Sequence, residues 1–114
     1  MTTRVISWFI PQANVGARPE SFILDQDYTA VRAIVTSAVA PYGQEVQVDI
    51  YDADEVSIFD YPPCLSVGTT SQTVEGGLKQ TPLDKDTVLY CEITQRDTGN
   101  AKNIMVHLEL TAED

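Results

Sequence analysis

The chain holds few cations: seven Lys and Arg stand against 17 Asp and Glu, a net charge of −10 over 114 residues. A surface of that sign repels phosphate backbones and anionic lipid headgroups, which argues against nucleic-acid and membrane partners. No apolar run reaches the length of a membrane span. The first ten residues, "MTTRVISWFI", lack a long apolar core and a small-residue cleavage site, so they do not read as a signal peptide and synthesis in a cytoplasm is expected. Histidine occurs once, as His107. A lone His with no nearby Ser or Cys nucleophile makes no triad. Nucleophile-elbow, phosphate-loop and metalloprotease motifs are all missing. Neither a catalytic residue nor a cofactor is expected.

The two cysteines, Cys64 and Cys91, are too far apart for a zinc knuckle, which needs short-spaced pairs. Each lies among apolar neighbours ("PPCLSV", "VLYCEI"), as free thiols packed like small hydrophobes do. A disulfide requires their strands to lie side by side.

What the sequence does have is alternation. In "EVQVDIY", Val46, Val48 and Ile50 point one way and Glu45, Gln47, Asp49 and Tyr51 the other, the period of a half-buried strand. "RVISWFI" sets Ile6, Trp8 and Ile10 against Val5, Ser7 and Phe9. In Thr87 to Gln95, Leu89, Cys91 and Ile93 form the core face. In Lys102 to Leu110, Ile104, Val106, Leu108 and Leu110 point inward, and Met105, His107 and Glu109 outward. Tyr28 to Val39 could carry a helical stripe (Val31, Ile34, Val35, Val39). Its β-branched content favours a strand with Thr29, Val31, Ala33, Val35, Ser37 and Val39 inward. Shorter strands are expected at Ser21 to Leu24, at Glu55 to Phe59 and at Leu65 to Val67, the last an edge strand behind Pro62 and Pro63.

Turns fall between these runs: Pro41 and Gly43, "DADE" at 52–55, a long loop "QTVEGGLKQTPLDKD", and "RDTGN" at 96–100. The pattern predicts an all-β antiparallel sandwich of roughly seven to nine short strands. One domain is expected: an extended N-terminal arm and first strand at 1–20, a sandwich at 21–110, and a frayed tail at 111–114.

Asp52 and Asp54 have the alternate spacing of calcium ligands, but the full loop motif is missing and Asp favours turns, so no metal site is expected. Tyr42, Tyr51 and Tyr61 lie in or near turns. They could stack on sugars, but capping the core or lining a subunit interface is the favoured reading.

In order along the chain, "WFIPQ", "DYTAVRAIVTSAVAPYGQEVQVDIY", "VSIFDYPPCLSV", "TVLYCEITQRDTGN" and "IMVHLEL" resemble the small jelly-roll-like β-sandwich domains of bacteriophage virion proteins. Two departures stand out. "DADE" replaces the usual Asn-Gly hairpin, and no Gly follows Pro11. The resemblance implies a non-enzymatic virion structural protein. The expected role is that of a capsid decoration or cement protein on the capsid surface, made in the host cytoplasm. Its partners would be the major capsid protein and itself, as a homotrimer at local three-fold positions. Trp8, Phe9, Ile10, Tyr42 and Tyr61 are the expected interface residues. With Trp8 as an anchor on a reaching arm, its removal should weaken assembly and spare the fold. The alternative is a tail or fibre module that binds host-surface carbohydrate. No heptad or collagen-like repeat precedes the domain, which favours decoration.

Overall fold

The computed structural model describes residues 2–12, 16, 18–75, 78, 82–95 and 101–112. They form an antiparallel β-sandwich, jelly-roll-like, with eight strands: β1 (Thr2–Gln12), β2 (Phe22–Ile23), β3 (Thr29–Val39), β4 (Val46–Tyr51), β5 (Cys64–Leu65), β6 (Ser71–Val74), β7 (Val88–Gln95) and β8 (Lys102–Ala112). The first sheet runs β1-β8-β3-β6 and the second β2-β7-β4-β5.

Alternation decides which face each strand buries. Ile6, Trp8 and Ile10 of β1 pack inward beside Ile104, Val106, Leu108 and Leu110 of β8. The second sheet supplies Val46, Val48, Ile50, Leu89, Cys91 and Ile93. All belong to one cluster between the sheets. Each large aliphatic side chain removed from water there contributes roughly 1.5–3 kcal/mol.

Two segments depart from simple alternation. The β3–β8 register shifts between Ala30 and Arg32, leaving Val31 as an extra residue. A bulge of this kind exchanges the two faces of a strand. Ala33, Val35 and Ser37 are therefore buried as expected, but before the shift it is Ala30 that is buried, and Val31 is exposed. Tyr51 is on the outward side, as its alternation suggests, yet it is buried there. Its ring stacks on Tyr90, its partner across the β4–β7 ladder, with centroids 5.8 Å apart.

Other expectations change more. Thr2–Gln12 is no free arm, because it pairs along its length with β8, from Thr2 opposite Ala112 to Gln12 opposite Lys102. The same ladder carries Thr111 and Ala112, so the tail is sheet up to Ala112. Glu55 to Phe59 forms only single bridges, Ser57 to Tyr51 and Phe59 to Leu78. Part of the long loop is strand β6. The Gly76-Gly77 pair and "RDTGN" lie outside the described residues. Pro41 and Gly43 do turn the chain, with Gly43 at φ 96°, where a side chain would be strained.

Candidate interaction surface

The outward side of the first sheet is set by its registers. Phe9, Met105, Thr36 and Ser71 lie in one row across β1, β8, β3 and β6. Ser7, His107, Ile34 and Thr73 form the next row, and Val5, Glu109 and Arg32 a third. Ser7 Oγ and His107 Nδ1 are hydrogen-bonded at 2.7 Å. Arg32 donates from Nε to Glu109 Oε2 at 2.7 Å and also approaches Glu75 at 3.9 Å. The first two rows hold no carboxylate, and the carboxylate of the third is paired. In a chain this acidic, such a face repels an approaching protein least. Val5 (57% exposed) and Phe9 (49%) are its most exposed apolar side chains.

The five residues expected at an interface divide. Trp8 and Ile10 are core residues, each only 2% exposed. Trp8 meets Phe22 edge-on, with centroids 5.4 Å apart. Alternation puts Val5, Ser7 and Phe9 on the opposite face, and burial identifies the face of Trp8 as the core one. Phe9 faces outward on β1. Tyr42 (74% exposed) follows β3, and Tyr61 (82%) precedes β5. Tyr61 borders a groove of about 460 Å³ between the two sheet edges, with Pro62, Cys64 and Gln72.

The outward side of the second sheet carries a polar cluster that sequence reading missed. Arg18 lies over both Tyr51 and Tyr90, its guanidinium carbon 5.3 Å from each ring centroid. It also donates to Tyr51 Oη and to Glu92. Asp49 stands directly opposite Glu92, a like-charge pairing that destabilises a ladder unless each charge has a partner. Ser57 Oγ supplies one to Asp49 at 2.6 Å, and Arg18 supplies the other. Burial pushes the Tyr51 phenol above its ordinary range. Arg18, Asp49, Tyr51, Glu55 and Glu92 line a cleft of about 330 Å³. The carboxylates of Asp49 and Glu92 are tied into contacts of the fold itself. Arg18 lies in a segment with no period, so nothing local marked it.

Asp52 serves its own turn. Its Oδ1 accepts from the backbone N–H of Asp54 at 2.9 Å and of Val56 at 3.0 Å. Among the described residues no group of three or more His, Cys, Asp and Glu side chains is placed to hold a metal ion. Cys64 on β5 and Cys91 on β7 are free thiols, separated by β4. Burial pushes the Cys91 thiol up to about 12.

No family model matches the chain, and no curated protein matches it. Its fold is nonetheless found in solved structures. It is similar to a chain of the acidic stable capsid of Helicobacter pylori bacteriophage KHP30, with a TM-score of 0.62 and 13% identity over 99% of this chain and 90% of that one. It is similar to a chain of the capsid asymmetric unit of cyanophage Pam1, with a TM-score of 0.57 and 12% identity over 95% of this chain and 83% of that one. A family 35 carbohydrate-binding module from an environmental isolate gives 0.56 and 18% identity, over 92% and 73%. At these identities the likeness is one of fold.

Proposed function

We propose that this chain is a structural protein of a bacteriophage virion, and more narrowly a capsid decoration protein. It binds the major capsid protein on the outside of the assembled shell and has no catalytic role. The observation that carries the reading is the two-way coverage of the KHP30 capsid chain, 99% of this chain and 90% of that one. The sandwich as a whole is the common element. An acid-poor sheet face on a chain of net charge −10 suits docking by apolar burial, which stabilises a shell by binding its assembled form. A homotrimer at local three-fold positions is part of this proposal.

The test adds purified chain to shells from which it has been stripped. Co-sedimentation at saturating stoichiometry, with a higher shell disruption temperature, supports the reading. Failure to co-sediment with shells that bind their other components contradicts it.

A second reading is a tail or fibre module that binds host carbohydrate. Likeness to the family 35 module and the exposed rings of Tyr42 and Tyr61 favour it. It predicts glycan binding that is lost in Tyr61→Ala.

A further inference from the structure

Sheet edges offer unpaired backbone N–H and C=O groups to other chains, and proteins usually blunt them by shortness, charge, proline or a bulge. Three of the four edges here are short: β6 has four residues, and β2 and β5 have two each. The fourth edge is β1, with 11 residues. Its ladder with β8 runs from Thr2 to Ile10 without a register shift, so no bulge interrupts it. Its only charged residue is Arg4, and Pro11 stands near its end. Among the described residues no backbone hydrogen bond joins its free side to the segment at 18–25. Open space runs beside it instead. A cleft of about 390 Å³ is lined by Ser7, Trp8, Phe9, Pro19, Glu20 and Phe22, and a smaller one continues along Phe9, Ile10 and Pro11.

We propose that β1 pairs antiparallel with β1 of a second copy of this chain, joining the two first sheets into one. Two observations select a second copy. The strand is self-complementary about Ser7: Val5 falls opposite Phe9 of the second copy, Ser7 opposite itself, and Phe9 opposite Val5. The exposed apolar pair of each strand is thereby covered by the pair of the other, as cross-strand neighbours. Charge agrees with this. Two chains of −10 repel wherever acidic surfaces meet, but β1 holds no acid, and in this register Arg4 lies opposite Ile10. The contact is isologous, with two-fold symmetry. It joins copies in pairs, whether alone or between larger assemblies on a shell, and does not depend on the virion reading.

The test is charge insertion with rescue, read by sedimentation mass. The wild-type particle contains an even number of chains. Val5→Lys with Phe9→Lys sets like charges opposite one another twice and halves the mass. Val5→Lys with Phe9→Glu sets opposite charges there and keeps the wild-type mass. Both positions are exposed, so each variant should still unfold cooperatively, with the double lysine variant lower in Tm only by what pairing contributes. If the double lysine variant fails to fold, Thr3→Lys with Pro11→Lys, both exposed on β1 and opposite one another in this register, replaces it and is again expected to halve the mass. A wild-type particle with an odd number of chains, an unchanged mass in the lysine variants, or a halved mass in the Lys/Glu variant overturns the proposal.

Discussion

Trp8 of β1 and Phe22 of β2 meet edge to face across the gap between the two sheets, with ring centroids 5.4 Å apart and planes 81° apart. The contact ties the long edge strand of one sheet to the short edge strand of the other. It makes Trp8 a residue of the fold, with consequences for the mutation that first suggests itself.

Trp8→Ala should destabilise the protein by about 3–5 kcal/mol, the range for removing a large aromatic from a packed core. Phe9→Ala, next to it on the opposite face, should cost far less. Urea unfolding of both variants checks this. A small loss for Trp8→Ala would mean that the indole is not packed as described.

The turn after β4 holds Glu55 at φ 62°, a left-handed conformation that a side chain disfavours by roughly 1–2 kcal/mol. Glu55 N–H donates to Asp52 C=O at 3.0 Å, which fixes the geometry. Glu55→Gly should therefore stabilise by up to about 1 kcal/mol, after the glycine's own entropy cost. Asp52→Ala in the same turn should destabilise by about 1 kcal/mol, because two backbone donors lose their acceptor. Chemical denaturation of both variants gives the opposite signs or refutes the turn.

Cys91 is fully buried, and burial pushes its thiol up to about 12. The unfolded chain releases that proton near 9.0. The contribution of this group to stability is thus intact below 9 and declines as pH rises from there towards 12. Cys91→Ala should show a flatter decline over the same window. With a thiol reagent at neutral pH, Cys91 should react only in denaturant, whereas half-buried Cys64 reacts in the folded protein.

Asp25 accepts hydrogen bonds at Oδ1 from Tyr28 Oη and Arg4, each at 2.7 Å. The Tyr28 hydroxyl, with Arg4 beside it, holds the carboxyl below its ordinary 3.8. A lowered carboxylate favours the fold above its unfolded pKa, and that contribution fades as pH falls through the folded value. Tyr28→Phe should move the Asp25 titration, followed by side-chain NMR, back up. A titration that does not move would separate Asp25 from Tyr28.

The parts of this fold that sequence reading captured are those governed by a period of two. The inward faces of β4, β7 and β8 and the alternation of β1 all follow from it. What it missed has particular causes. Val31 is displaced by a bulge, which no residue type announces. Tyr51 looks outward by parity, but Arg18, 33 residues away in sequence, covers it. Strand β6, "SQTV", has almost no apolar content and exists because β3 offers it an edge. Trp8 and Ile10 were assigned to an interface, but they share a face with Ile6, and that face is the core one. Phe9, Tyr42 and Tyr61 remain as surface residues because their positions leave them no core to enter.

The central claim is that this chain coats a phage shell. Immunogold labelling of intact parent virions, with antibody against the purified chain, tests it most directly. The account predicts gold distributed over the head. Gold confined to the tail tip or fibres, or no label on intact particles, would contradict it.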